Sequence, residues 1–197
     1  MDFKQFKVFA HSNQLQGELK AMVEKLHYKK TSRSLKQREV FSLWVEDLLV
    51  GCAVFGDICS GAGQAKYGDG TLELRRFILI DEAPRNSESF FLGHCLRVLK
   101  KKQSWKQVLT YADPNNGHQG IIYKATNFKY IGLEQYRQQV LRIGKRDVSM
   151  RQVYQKSKLT GNYVESALKY QKMKRQGKAK AVLTEAKHIY MYNLEGK

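Results

Sequence analysis

The chain has 197 residues, of which 42% are hydrophobic, and this is enough for one globular domain with a sizeable core. Its 35 Lys and Arg against 18 Asp and Glu give a formal net charge of +17, which favours a polyanionic partner over a basic protein whose charge serves only solubility. The sequence has neither the pattern of a secretory leader nor a run of eighteen apolar residues, so it predicts a cytoplasmic protein with no membrane partner.

The cysteines are Cys52, Cys59 and Cys95, an odd number without the paired spacing of a metal site. A disulfide framework and a zinc knuckle therefore have no support. We expect reduced thiols, in the core or on the surface.

The first elements alternate between strand and helix. Residues 3–10 predict a strand, and residues 12–28 predict a helix capped by Ser12 or Asn13. One face of that helix is apolar. Its members are Leu15, Leu19, Met22, Val23 and Leu26.

A hairpin follows, and after it come a strand, a helix and a further strand. The hairpin strands are residues 39–47 and 48–58, with a tight turn near Asp47, and four glycines between 61 and 70 predict a loop. Further elements follow in order: a strand from Thr71, a helix capped by Asn86 or Ser87, and a strand over residues 105–112.

The last third of the chain is more basic. Residues 135–144 are expected to prolong the sheet, and residues 144–180 to form a basic excursion of two amphipathic helices with eleven Lys or Arg. Residues 187–194 alternate as a last strand. The sequence thus predicts a single domain over 1–197 with an α/β (α+β) fold.

The polar corner in "LTYADPNNGHQGIIYKATNFKYIG", residues 109–132, joins a strand ending at Ala112 to a helix that holds residues 115–117 in its first turn. Asn127 suits a left-handed cap at the end of that helix. Tyr123, "KAT", Asn127 and Phe128 resemble the Tyr, three residues, Gly-Phe pattern of the GNAT acyltransferase superfamily, with Asn in place of Gly. The resemblance implies a mixed, splayed sheet flanked by helices, in which this Tyr is a general acid toward the coenzyme A thiolate. The alternative is that Tyr123 only packs on the sheet.

The family's pyrophosphate loop corresponds to "PRNSESFF", where the resemblance makes Arg85, Ser87 and Ser89 candidate cofactor-binding residues. Glu88 and Phe90 occupy the two glycine positions of the family pattern. A carboxylate repels pyrophosphate and a phenyl ring obstructs it, so acyl-coenzyme A is a disfavoured donor and the sequence does not identify another.

The combination "LELRRF…DEAPRNSES…TYADPNNGHQGIIYKATNFKYIG", with "HYKK" before it and "KHIYMY" near the end, resembles the phage Mom family, a divergent GNAT branch. Members of this family convert adenine in DNA to an N6-carbamoylmethyl derivative, which shields phage DNA from restriction. The resemblance implies a DNA adenine modification transferase that acts in the cytoplasm of the host cell.

The same resemblance assigns roles to individual residues. Arg75, Asp113 and Tyr123 are the catalytic candidates, and His27, Tyr28, Asp113 and Tyr123 are the candidate ligands of an iron ion. Two alternatives remain open: His27 binds the last carbonyls of its helix, and Arg75 forms a structural ion pair with Glu73 on one face of its strand, opposite Leu74 and Arg76.

Double-stranded DNA is the expected partner, because an enzyme that derivatises adenine N6 needs phosphate contacts and a base taken out of the stack. A solvated basic face is the alternative, and the oligomeric state is not apparent. The rival functions are an ordinary GNAT N-acyltransferase that uses acyl-coenzyme A on a protein, RNA or small amine, and a non-catalytic DNA-binding protein. The candidate DNA-binding residues are Lys145, Arg146, Arg151, Lys156, Lys158, Lys172, Lys174 and Arg175.

Overall fold

The computed structural model describes residues 5–12, 14–27, 32, 35–58, 60–135, 137–144, 146–149 and 163–195. The chain divides into two compact units. The first comprises Met1–Ala112, His118–Gly132 and His188–Lys197, and the second comprises Asp113–Gly117 and Leu133–Lys187. The single domain expected over 1–197 stays a prediction.

The first unit is built on a seven-stranded mixed sheet in the order β1-β2-β3-β4-β5-β10-β6. Neighbours from β1 to β4 are antiparallel, β4 and β5 are parallel, and β10 is antiparallel to β5. The last strand of the chain therefore lies between two earlier ones. The strands are β1 Phe6–Ser12, β2 Gln37–Val45, β3 Leu48–Asp57, β4 Thr71–Leu79, β5 Gln107–Ala112, β6 Lys129–Leu133 and β10 His188–Asn193.

Helices cover both faces of this sheet. On one face, α1 (Gly17–Leu26) buries Leu19 and Val23 against Val40 and Val54. On the other, α3 (Ser87–Lys102) packs five buried residues into a larger cluster with alternate residues of β2, β3 and β4. Because β2 and β3 are buried on both faces, their sequences are nearly continuous apolar runs. The two short helices of this unit are α2 (Gly61–Tyr67) and α4 (Ile121–Ala125).

Two local expectations are wrong. Ser12 does not cap α1, because it pairs with Glu39 at the end of the β1–β2 ladder and the helix begins only at Gly17. Asn13, the alternative cap, lies outside the described residues. The glycine-rich segment expected as a loop contains α2, whose first turn is capped by the Ser60 hydroxyl accepting from the Gly63 N–H at 3.0 Å. The predicted cap at Asn86 is confirmed by position, although its side chain makes no cap hydrogen bond.

The second unit contains a three-stranded antiparallel sheet in the order β8-β7-β9. Residues 139–143 do not prolong the larger sheet, because they pair with β8 and β9 instead. Residues 146–149, at the start of the first expected helix of the basic segment, form β8, and residues 150–162 lie outside the described residues. The second expected helix is confirmed as α5. The elements are β7 Gln139–Ile143, β8 Arg146–Ser149, α5 Tyr163–Arg175 and β9 Lys180–Leu183.

Cys52 and Cys95 are buried free thiols, as expected for reduced core residues. Cys59 lies outside the described residues.

Candidate active site

The parallel strands β4 and β5 separate part-way along their length. They pair at only three positions, Thr71 with Gln107, Leu72 with Val108 and Glu73 with Leu109. Beyond that point β4 continues beside β3 and β5 continues beside β10. Beyond this point the two strands no longer pair with each other. The backbone N–H and C=O groups on their facing edges are therefore placed to bind a ligand.

A β-bulge at Arg75 adjoins this separation. Leu74 pairs with Phe55 and Arg76 with Val54, which leaves Arg75 as the extra residue of β4. Leu74 therefore belongs to the cluster under α3, whereas the cross-strand partner of Arg76 belongs to the cluster under α1. The expectation that Leu74 and Arg76 share a face is wrong, because it assumed an unbroken strand period.

The Arg75 side chain is 9% exposed and has protein partners of its own. Its Nη1 donates to the backbone carbonyl of Asp57 at 2.8 Å and lies 3.7 Å from Glu73 Oε2. The Glu73–Arg75 ion pair expected from the sequence is present. A role for Arg75 in holding a donor stays a prediction.

Tyr123 lies in the middle of α4, with its ring among other aromatic rings. The ring centroids are 5.5 Å from Phe128 and 5.4 Å from Tyr190. Burial raises the pKa of the Tyr123 phenol, and the Thr110 hydroxyl partly opposes that shift. Thr110 Oγ1 is nevertheless buried without a partner that meets hydrogen-bond geometry among the described residues. A phenol keeps its proton at neutral pH even when it is exposed, and burial reinforces this at Tyr123, so the side chain can serve as a general acid.

The expected end of this helix is confirmed. Asn127 adopts the left-handed conformation with φ 64°, and the Phe128 N–H returns to the Tyr123 carbonyl at 2.9 Å. This is the conformation that the Gly of the acyltransferase pattern adopts most easily and that Asn tolerates.

The segment before α4 is held against β10. The Tyr190 hydroxyl donates to the Gln119 carbonyl at 3.1 Å. Gly120 has φ 78°, and a Cβ added there would lie 2.4 Å from the Tyr190 ring. Only glycine meets both conditions, so this contact fixes where α4 begins.

The expected continuous helix from the polar corner is wrong. Asp113 caps a short 3₁₀ turn over Pro114–Asn116, and Gly117, with φ 77°, separates this turn from α4. Asp113 Oδ1 accepts from the N–H and Nδ2 of Asn115 at 3.1 and 2.8 Å, and Oδ2 accepts from Asn116 Nδ2 at 3.1 Å. Asp113 belongs to the second unit, whereas Tyr123 belongs to the first.

The loop between β4 and α3 uses its hydroxyls internally. Ser87 donates to the Pro84 carbonyl, and Ser89 to the Asn86 carbonyl at 3.1 Å. Arg85 and Glu88 are exposed, whereas Phe90 packs on Phe6 with ring centroids 5.2 Å apart. The two hydroxyls are thus engaged within the loop, and a cofactor-binding role for Arg85, Ser87 and Ser89 stays a prediction.

Residues 14–197 match the sequence profile of the Mom protein family, which leaves only the first thirteen residues outside the match. The chain belongs to the Mom protein family.

One similar protein matches over a shorter segment. It is the methylcarbamoylase mom of Escherichia phage Mu, 41% identical over 64 residues. The matched segment is 32% of this chain and 27% of that relative, so it spans about a quarter of the relative's length.

Solved acetyltransferases share the fold of this Mom family chain. An N-acetyltransferase of Staphylococcus aureus Mu50 superposes with a TM-score of 0.54 at 12% identity, covering 97% of this chain and 99% of that one. A GNAT family acetyltransferase of Elizabethkingia anophelis with acetyl-CoA bound gives 0.55 at 8% identity, covering 96% and 99%. The fold class expected from the sequence, a GNAT-like mixed sheet flanked by helices, is confirmed.

The iron site implied by the Mom resemblance is described only in part. Within the described ranges, no group of three or more His, Cys, Asp or Glu is arranged to hold a metal ion. The Asp113 carboxylate accepts three amide hydrogen bonds, and Tyr123 would have to give up its phenol proton to serve as a metal ligand. His27 is 8% exposed at the end of α1, where its backbone N–H donates to the Val23 carbonyl. Tyr28 lies outside the described residues. The iron site stays a prediction.

The candidate DNA-binding residues are described only in part. Lys172, Lys174 and Arg175 are exposed near the end of α5. Arg146 lies in β8, but its side chain is not described, and Lys145, Arg151, Lys156 and Lys158 lie outside the described residues. No helix in the described part of this Mom family chain is long and apolar enough to cross a membrane.

Reasoning from the sequence did not identify four residues that surround the aromatic cluster at Tyr123 or extend it. They are Thr110, Tyr130, His188 and Tyr190. The alternation in "KHIYMYN" identified a strand but not its neighbours. The strand lies between β5 and β6, and only that topology brings His188 and Tyr190 to Tyr123 and Tyr130.

Proposed function

We propose that this Mom family chain is a DNA-modifying transferase that converts adenine in DNA to N6-carbamoylmethyladenine. The observation that carries the proposal is the position of Tyr123, a phenol packed among aromatic rings near Thr110, on the part of β5 that has separated from β4. Membership of the Mom family and the relative from phage Mu support the reaction type.

In this mechanism a new bond forms between adenine N6 and the donor carbon, while the bond from that carbon to the leaving group breaks. Tyr123 gives its proton to the leaving group, which is the role that a protonated phenol can fill at neutral pH. The proton that N6 loses is taken by Asp113 or returned to the Tyr123 phenolate, so the step balances. The donor remains unidentified. The engaged hydroxyls of Ser87 and Ser89 and the side chains of Glu88 and Phe90 argue against acyl-coenzyme A.

Arg75 holds the donor in this proposal. A guanidinium suits a carboxylate, a carboxamide or a phosphate because it presents several N–H donors in one plane. At the bulge, Arg75 departs from the regular alternation of the strand. The bulge lies next to the point where β4 and β5 separate. Its contacts with Asp57 and Glu73 fix the side chain in place before a donor arrives.

Asp113 orients or deprotonates the N6 amine. Its three amide partners favour the orienting role, because their hydrogen bonds hold both carboxylate oxygens in fixed directions. In the proposal, Asn115 supports the corner by bonding Glu185 through both its amide atoms, at 3.1 and 2.9 Å.

Double-stranded DNA is the proposed substrate, and the protein acts in the cytoplasm of a phage host. The net charge of +17 provides phosphate contacts that do not depend on base sequence. Among the described residues, we assign such contacts to the exposed side chains of Lys172, Lys174 and Arg175. Adenine N6 is paired inside the duplex, so the target base has to leave the stack.

The test is to express the protein with a plasmid and analyse the digested nucleosides by mass spectrometry. We expect N6-carbamoylmethyl-deoxyadenosine from the natural chain and a loss of about 100-fold or more with Tyr123→Phe. Tyr192→Phe is the matched control, because its ring packs on the same Phe128 at 5.4 Å. Unmodified DNA with tight, salt-sensitive binding would favour a non-catalytic binder, and an acylated protein or amine would favour an ordinary acyltransferase.

A further inference from the structure

An aromatic row leads from Tyr123 to the protein surface. It consists of Tyr123, Tyr190, Tyr130 and His188, with successive ring centroids 5.4, 5.4 and 5.7 Å apart. Tyr190 is 1% exposed, whereas Tyr130 is 46% exposed. The row therefore connects the proposed general acid to Tyr130, a ring that solvent can reach.

The exposed end of the row lies at the end of the sheet where β4 and β5 have separated. Because β10 is antiparallel to β5, Tyr190 is opposite Thr110, and His188 is opposite Ala112, the last residue of β5. The β4–β5 ladder has already ended at Leu109. His188 and its neighbour Tyr130 are thus beside the strand end that opens the site, and all belong to the first unit.

The ring of Tyr130 is also held in place. Its hydroxyl lies 3.4 Å from His188 Nδ1, and its ring packs against buried Tyr190. A ring that is already immobile loses little entropy when a second flat group stacks on it. Exposed aromatic rings with these properties are the platforms on which proteins stack nucleobases taken out of a helix.

We infer that Tyr130, supported by His188, is a stacking platform for the purine base that is extruded from DNA before modification. This inference rests on the proposed function for its substrate. The charge of the protein brings the DNA phosphates to the surface, and the platform selects for a base rather than for the backbone. The row then continues through Tyr190 to the phenol of Tyr123.

The test compares two single-stranded probes at one salt concentration: an oligodeoxyadenylate and an oligonucleotide of equal length with abasic sites. We expect the natural chain to bind the adenine probe about tenfold more tightly, and Tyr130→Leu to lose that preference while its affinity for the abasic probe is unchanged. Tyr130→Phe keeps the ring and should keep the preference. Phe9→Leu is the matched control, because Phe9 is a 49% exposed aromatic residue on β1 at the opposite edge of the sheet.

The abasic probe reports whether Tyr130→Leu still folds and binds phosphate. A preference for adenine that survives in Tyr130→Leu, or that is lost equally in Phe9→Leu, overturns the platform even if modified adenine is found in plasmid DNA. A preference that depends on Tyr130 supports the platform even where no modified nucleoside forms, in which case the proposed reaction fails alone.

Discussion

Glu73 and Leu109 form the last residue pair that joins β4 to β5. The structural features that we connect with chemistry in the first unit lie beyond this pair or next to it. Arg75 is the bulged residue two positions further along β4, and Thr110 is the next residue of β5. The place where two parallel strands separate is thus also where a buried cation and a buried hydroxyl are found.

Arg75 offers a test that separates structure from donor binding. We expect Arg75→Met to lower the free energy of unfolding by about 1–3 kcal/mol, because the Asp57 carbonyl loses its donor and Glu73 loses its ion pair. We also expect it to abolish modification. The measurements are urea unfolding and the nucleoside assay.

The double variant Glu73→Gln with Arg75→Met removes the unpaired carboxylate and should recover part of the stability. Modification should stay absent if Arg75 holds the donor. Recovery of modification together with stability would mean that Arg75 is only the structural partner of Glu73. Arg97→Met, at an exposed position of α3, controls for a general effect of lost charge.

Gly120 should be far less replaceable than Gly117, although the two have nearly equal φ of 78° and 77°. An added Cβ at Gly117 meets nothing within 4 Å, whereas at Gly120 it lies 2.4 Å from the Tyr190 ring. We expect Gly120→Ala to be less stable than Gly117→Ala by about 1–3 kcal/mol in urea unfolding. Equal stabilities would show that α4 can shift away from β10 at little cost.

The sequence predicted those parts of the fold that depend on local patterns. The hairpin with its turn near Asp47, the strand from Thr71, the helix after Asn86 and the left-handed Asn127 were all expected, and all are present. Each depends on periodicity or on turn chemistry within a few residues.

The errors come from relations between distant segments. Ser12 resembles a helix cap until its pairing with Glu39 is known, and the face of Arg76 depends on a bulge that only the β3 register reveals. Likewise, β7 looks like a continuation of the large sheet, but its partners are β8 and β9. A pattern read along the chain does not contain the partner strand, so it cannot set register or sheet membership.

The core cysteines should be unreactive while the protein is folded. Burial raises the pKa of the Cys52 thiol to about 12, and burial also raises the pKa of Cys95. At pH 8 the thiolate fraction of Cys52 is then only about one in ten thousand. In a Cys59→Ser background, we expect a thiol reagent to modify both cysteines only after urea unfolding. Rapid labelling of the native protein would mean that β3 or α3 opens locally.

Thr110 and Tyr123 supply a prediction about pH. Burial raises the pKa of Tyr123 and the Thr110 hydroxyl lowers it, so Thr110→Val should raise the phenol pKa further, whereas Thr110→Ser should leave it nearly unchanged. Ultraviolet titration, with Tyr123→Phe subtracted, measures this pKa without any need for activity. An unaltered or lower pKa in Thr110→Val would mean that the two groups do not interact.

The same shift links Tyr123 to alkaline stability. Because the folded pKa lies above the unfolded one, the stabilising contribution of Tyr123 is fully present below about pH 10 and is lost as the pH rises through the folded pKa. We therefore expect the difference in unfolding free energy between the natural chain and Tyr123→Phe to shrink above about pH 10. A difference that stays constant to higher pH would mean that Tyr123 titrates as it does in the unfolded chain, and its proton would then be no better retained than that of an exposed tyrosine.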